Sequence, residues 1–313
     1  MIDGKFEFKR VRRRFRRPLR TGAGPVEAVE RILLRTQSAD GVGYGEIAPW
    51  PGFPTESTET AVEALRSAQG SLSHLSAVVA ASPGLPCLAA ALSSCRRWDS
   101  IAAFGGTLPC AGLLSDDPDD VSQKTAAGYH TLKLKVLPET TIADVRALLA
   151  RFDGTLRLDA NASLDLAAAR TWLEFVRSEA RIEFLEQPLP VGHAGYASLG
   201  TSKVALDESF LTPAGLAWDG PVVVKPLLVG DWDRYLAWRQ AEPTRVVAYS
   251  SCFETAIGRQ GALWLAAQDL STGAVGFDTL GRFEMDGRDR HVGGPEVRGA
   301  LDIRWDQFWM ELA

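Results

Sequence analysis

Polar and apolar residues alternate along residues 5–15, KFEFKRVRRRF, and the same two-residue period runs through EAVERILLRTQSADGVGYGEIAP, residues 27–49. Both stretches predict antiparallel strands, with Asp40 and Gly41 at a hairpin corner. After the Pro-rich APWPGFPTES the period lengthens to that of an amphipathic helix, TESTETAVEALRSAQ, which opens on Ser/Thr caps with acidic residues in its first turn. From about Gly105 the pattern changes to short apolar runs alternating with helical ones. The runs are TLPCAGLL, TLKLKV, LRLDAN, IEFLEQP, KVALDES, VVVKPLLV, RVVAYSS and AVGFDTL. Parallel neighbours need crossover helices, so this alternation predicts a parallel sheet, and eight strands predict a compact (β/α)8-type barrel. The stretch after IEFLEQP is a poor helix, so that unit is expected to be shortened. The expected organisation is an α+β capping domain over residues 1–104, the barrel over 105–281, and a tail over 282–313 whose aromatic residues pack back on the barrel or cap.

Composition narrows the picture. With 313 residues, 46% of them apolar, the chain can bury a large core without disulfides, and a net charge of −5 gives no global reason for a nucleic-acid or membrane partner. The run KRVRRRFRRPLR, residues 9–20, is the local exception: it has the basic character of a nucleic-acid arm or a transit peptide. Asp3 and Glu7 precede it and its alternation is strand-like, so it is read as a solvated strand with Arg on the wet face, followed by a loop. Four scattered cysteines, no apolar stretch of about 20 residues and no hydrophobic signal core point to packing thiols and a cytoplasmic protein. Monomer and homo-oligomer are both left open.

The chemistry lies at the strand ends. Asp159 ends LRLDAN, Glu186 ends IEFLEQP and Asp207 ends KVALDES, so three successive strands would set three carboxylates side by side at the barrel's C-terminal rim. Such an oxygen-rich set suits Mg2+, with Mn2+ as a substitute, better than zinc; the plainer reading is that each acid caps the helix after it. Lys133 and Lys135 are two apart and point the same way, while Lys225 sits on the sixth strand across the circle. Lysines on two sides of carboxylate-bound metal fit abstraction of a proton α to a carboxylate, because the metal and a cation offset the charge of the enediolate and a neutral lysine accepts the proton.

The motifs K-x-K (Lys133, Lys135), D-x-N (Asp159, Asn161), E-Q-P (Glu186), D-E-S (Asp207) and V-K-P (Lys225) resemble, in order, those of the enolase superfamily and its muconate-lactonizing-like subgroup. RRPLRT (16–21), LRLDAN, SSCFETAIG (250–258) and GFDTL (276–280) are most similar to the o-succinylbenzoate synthase family. That resemblance implies Mg2+-dependent dehydration of a succinyl-bearing cyclohexadiene carboxylate, a step of menaquinone or phylloquinone biosynthesis. It implies Lys135 as the base that then protonates the departing hydroxyl, Lys225 as the stabiliser on the other face and Lys133 as electrostatic support. Asp159, Glu186 and Asp207 become the metal ligands, and Arg157, Asn161, Ser250, Ser251 and Glu254 substrate-binding neighbours that shape the site. Related epimerases hold a substrate ammonium with Asp-x-Asp on the eighth strand; here Asp278 stands alone, which disfavours a dipeptide. An N-succinylamino acid racemase, a muconate cycloisomerase and a non-catalytic metal-binding barrel are the competing readings.

Overall fold

The computed structural model describes residues 4–21, 24–270 and 273–312; Asp3 lies outside them. Strands β1 (Gly4–Thr21), β2 (Gly24–Ser38) and β3 (Gly41–Ile47) form an antiparallel sheet in that order. The β2–β3 corner falls at Ala39 and Asp40, and Gly41 follows at φ +124°, a conformation that favours glycine.

The basic run departs from expectation twice. It does not give way to a loop: β1 continues to Thr21, because its register with β2 breaks between Arg14 and Leu19 and the C-terminal tail takes over the backbone bonding there. Arg16 N donates to Arg282 O and Glu284 N to Arg14 O, with Phe15 opposite Phe283. Nor is every Arg on a wet face. Arg10, Arg12 and Arg14 are exposed, but Arg13 is fully buried, stacked 3.7 Å from the Phe283 ring and paired with Asp286 (2.8 Å) and Asp289 (3.0 Å). A buried guanidinium is tolerable only with such partners.

Helices α1 (Thr58–Ser67), α2 (Leu72–Ala81), α3 (Pro86–Arg96) and α4 (Trp98–Ala102) complete the N-terminal module. Ser57 caps α1 by accepting from Thr60 N. Helix α3 lies directly on β3 because residue 45 lacks a side chain: a Cβ there would stand 2.2 Å from Ala91 O.

The chain then runs β4 (Thr107–Pro109), β5 (Gly112–Leu113), α5 (Asp120–Ala126), β6 (Thr131–Lys135), α6 (Ile142–Leu149), β7 (Thr155–Asp159), α7 (Leu166–Ser178) and β8 (Ile182–Glu186). It continues as α8 (Tyr196–Leu199), β9 (Val204–Ala205), α9 (Pro213–Leu216), β10 (Val222–Val224), α10 (Trp232–Ala241), β11 (Val247–Tyr249) and α11 (Ala256–Ala267). Strands β5 to β9 are parallel neighbours in sequence order, as are β10 and β11. Parallel bridges Leu206–Val222, Ser250–Gly276 and Cys110–Val275 close the circle through an eighth segment reduced to residues 275–276. The architecture is a modified (β/α)8 barrel with an N-terminal capping module. The unit after β8 is shortened, as its weak pattern predicts; α8 has four residues.

The run TLPCAGLL splits, and only β5 joins the barrel. Strand β4 pairs antiparallel with β12 (Glu296–Arg298) of the tail. The tail ends in α12 (Trp305–Glu311), whose Trp305, Phe308 and Trp309 are buried, with Trp305 against Trp98 and Trp309 against Tyr44. Lys9 Nζ donates to Trp309 O and Leu312 O at the helix's C-terminal end, a favourable place for a cation. All four cysteines are buried and unpaired, and no helix among the described residues is long and apolar enough to cross a membrane.

Candidate active site

Side-chain alternation sends Lys133 and Lys135 of β6 inward while Leu132 packs, fully buried, on the other face. The parallel register sets Lys133 beside Arg157, Lys135 beside Asp159 and Asp159 beside Glu186. Asp207 stands just past β9 and Lys225 just past β10. All of them line one cavity of about 750 Å3, roofed by Trp50 and Phe53 from the cap. The Lys225 ammonium lies 4.5 Å over the Phe53 ring, and Trp50 stacks on Phe253 at 5.1 Å.

Lys133 Nζ is 2.8 Å from both Asp159 Oδ2 and Glu186 Oε1, while Lys225 Nζ holds both oxygens of Asp207. Burial drives the pKa values, and neighbouring charge decides their signs. Glu186, desolvated beside Asp159, is pushed up to about 8, and burial with Glu208 alongside pushes Asp207 up to about 6 despite Lys225. Burial also works against ionised Asp159, but Lys133 outweighs it and holds this carboxyl below its usual range. Desolvation lowers Lys135, with Lys133 adding to the effect, whereas Asp207 and Glu208 keep Lys225 above the ordinary lysine value in spite of burial.

Among the described residues no three Asp, Glu, His or Cys side chains are drawn together into a ready cation cage. The oxygens are engaged instead by the two lysines. The donor set nonetheless fits a hard divalent cation: three buried carboxylates stand at or just past the ends of three successive strands, and a fourth, Glu208, has a buried Oε2 without a hydrogen-bond partner. Carboxyls therefore outnumber lysines four to three in this part of the cavity.

The remaining predicted residues divide. Asn161, at φ +44°, donates through N and Nδ2 to Asp159 Oδ1 at 2.9 and 2.8 Å and so fixes that carboxylate. Ser250 and Ser251 line the cavity. Arg157 borders it, but its guanidinium is committed to Glu183 (2.7 Å) and Ala274 O (2.6 Å). Glu254, only 2% exposed, takes hydrogen bonds from Ser251 Oγ and Cys252 N and braces the loop after β11 without lining the cavity.

Glu208 is the cavity residue that strand logic misses. Alternation from Asp207 would turn it away, but β9 ends at Ala205 and the chain is already turning, with Phe210 N donating to Asp207 O. Phe53 is likewise unassigned by the motifs; an aromatic residue inside a Pro/Gly-rich loop was its only signal. Asp278 lines the wall, its oxygens taken by Lys124 Nζ, Tyr129 OH and Leu113 N.

Residues 118–218 match the family model described as enolase C-terminal domain-like. The o-succinylbenzoate synthase of Thermosynechococcus vestitus is 33% identical over 290 residues, 83% of this chain and 88% of that one. The crystal structure of o-succinylbenzoate synthase from Thermosynechococcus elongatus BP-1, complexed with Mg in the active site, superposes with a TM-score of 0.81 at 29% identity, covering 98% of this chain and 100% of that one. The L-Ala-D/L-Glu epimerase of Bacillus subtilis shares the fold at a TM-score of 0.74 and 20% identity, covering 96% of this chain and 97% of that one. The lysines and carboxylates gathered in one barrel mouth, together with this likeness over most of the sequence, place the chain in the o-succinylbenzoate synthase family of the enolase superfamily.

Proposed function

We propose that the protein is a lyase that dehydrates 2-succinyl-6-hydroxy-2,4-cyclohexadiene-1-carboxylate to o-succinylbenzoate in menaquinone or phylloquinone biosynthesis. The observation that carries the reading is the opposition of Lys133 and Lys135 on β6 to Lys225 beyond β10, with three strand-end carboxylates between them in one cavity. Asp159, Glu186 and Asp207 would hold Mg2+, for which Mn2+ could substitute. When bound, the cation supplies Lewis-acid stabilisation of negative charge on the substrate's carboxylate oxygens.

The chain's own groups carry the proton. Lys135, with its depressed pKa, is the group best able to be neutral and accept the α-proton at Nζ. Its ammonium then returns that proton to the hydroxyl leaving from the same face; water departs and the ring becomes aromatic. Lys225 stays protonated on the opposite side and offsets the charge of the enediolate, and Lys133 adds a second fixed cation. Asn161 keeps Asp159 in place, and Ser250 and Ser251, in the cavity wall just past β11, would contact the substrate. The four buried thiols support a reducing compartment, the cytoplasm. The domain boundaries at 104/105 and 281/282 are proposed with the same reading.

The ultraviolet signal of the aromatic product, measured beside racemisation of N-succinyl amino acids, tests the assignment. Dehydration is expected to exceed racemisation in kcat/KM by at least about 100-fold, the discrimination available from differential transition-state binding. Racemisation equal to or faster than dehydration would overturn it.

A further inference from the structure

Asp278 belongs to the cavity wall at the seam where the eighth barrel segment meets β5. Its Oδ2 accepts from Lys124 Nζ at 2.6 Å and from the Leu113 amide at 2.9 Å, and its Oδ1 accepts from the Tyr129 hydroxyl at 3.1 Å. Lys124 arrives from α5, on the far side of that wall, with its ammonium 4.9 Å from the Tyr129 ring centre. A passage for its stem is built into β5: a Cβ on residue 112 would stand 2.7 Å from Lys124 Cδ and 3.0 Å from Tyr129 Cδ1, and that residue is glycine. The pair is largely shielded, with side-chain exposures of 15% and 17%, so its charges are screened less than those of a surface pair.

We propose that Lys124, acting through Asp278, determines substrate charge: it cancels the carboxylate on this wall, so the cavity accepts dianionic carboxylates and offers no anchor to an ammonium-bearing one. An uncompensated Asp278 would add a negative charge to the wall that faces the substrate. The inference rests on the proposed dehydration only for the identity of the natural dianion. Lys124 is a positioning residue here, since it reaches the cavity only through Asp278.

The test separates charge from structure. Lys124→Met keeps an apolar stem in the passage and leaves Asp278 bonded to Tyr129 and Leu113. Calorimetry on the Mg2+-loaded protein compares phthalate, a dianion, with 2-(aminomethyl)benzoate, which carries an ammonium in place of one carboxylate. The ratio of their dissociation constants is expected to move about three- to tenfold toward the ammonium compound in Lys124→Met, the scale of one partly screened charge. It should return to the wild-type value in Lys124→Arg and in the double variant Lys124→Met/Asp278→Asn. In the dehydration assay Lys124→Met should raise KM with little change in kcat. A purely structural seam would make the double variant worse than the single one, so failure of that suppression, an unchanged ratio, or no binding of either probe overturns the inference. A wild type that shows the charge selection but no dehydration would count against the proposed function alone.

Discussion

Glu46 of β3 couples the cap to the barrel, and its removal should be costly. Its side chain is fully buried and accepts hydrogen bonds from Thr255 N (3.0 Å), Thr255 Oγ1 (2.6 Å) and Gly258 N (3.1 Å) at the start of α11, with Arg31 Nε at 3.6 Å. Glu46→Ala strands these buried donors and takes the carboxyl away from the Arg31 guanidinium, 1% exposed and held otherwise by the carbonyls of Glu30, Pro49 and Cys252, which should cost about 3–5 kcal/mol. With an unfolding entropy of about 2.1 cal/mol/K per residue over 313 residues, a 4 kcal/mol loss lowers Tm by about 6 °C. Burial, with Glu254 nearby and despite Arg31, pushes the Glu46 carboxyl up from 4.5 to about 7. The folded protein therefore keeps a proton that the unfolded chain releases between those values. Stability from this group is full below pH 4.5 and falls as pH rises toward 7, by at most about 1.4 kcal/mol per pH unit. Glu46→Gln cannot titrate, so its deficit against wild type should be greatest near pH 5 and narrow toward pH 8 in calorimetric or fluorescence melts. A Tm change under 1 °C in Glu46→Ala, or a Glu46→Gln deficit that widens with pH, would refute the reasoning. Because Thr255 follows the loop that carries Ser251 and Phe253, a rise in KM should accompany the loss of stability.

Two further substitutions probe the site and its support. Asp207→Asn should weaken Mg2+ binding by about 10- to 100-fold in calorimetry, on the scale that perturbing a metal site's immediate surroundings produces, and unchanged affinity would remove Asp207 from the ligand set. Gly45→Ala puts a Cβ against the Ala91 carbonyl and should destabilise by about 1–3 kcal/mol in denaturant titration, since overpacking forces α3 off the sheet; wild-type stability would show that the helix can shift freely.

Much of the barrel was legible because each strand announces itself by a short apolar run and each crossover by helical periodicity. The order of charged strand ends carried the site for the same reason, since i and i+2 on a strand must share a face, as Lys133 and Lys135 do. What escaped depends on contacts between segments far apart in sequence. Arg13 is buried only because Asp286 and Asp289 of the tail come to it, and β4 is drawn out of the barrel by β12, whose partner no local pattern names. Glu208 is hidden by a strand that stops two residues early, and the hydrogen bonds that tie Glu254 to Ser251 and Arg157 to Glu183 are invisible in one dimension.

The central claim is that Lys135 removes the α-proton in a dehydration that yields an aromatic product. Wild type and Lys135→Ala, both loaded with Mg2+ and checked for matching circular dichroism, should be mixed with the succinyl-cyclohexadiene substrate and followed in the ultraviolet. The expected result is full conversion by wild type and a rate lower by about 10³-fold or more in Lys135→Ala, the scale of a lost general base. Wild-type-like turnover by the variant, or no product from Mg2+-loaded wild type, would contradict it.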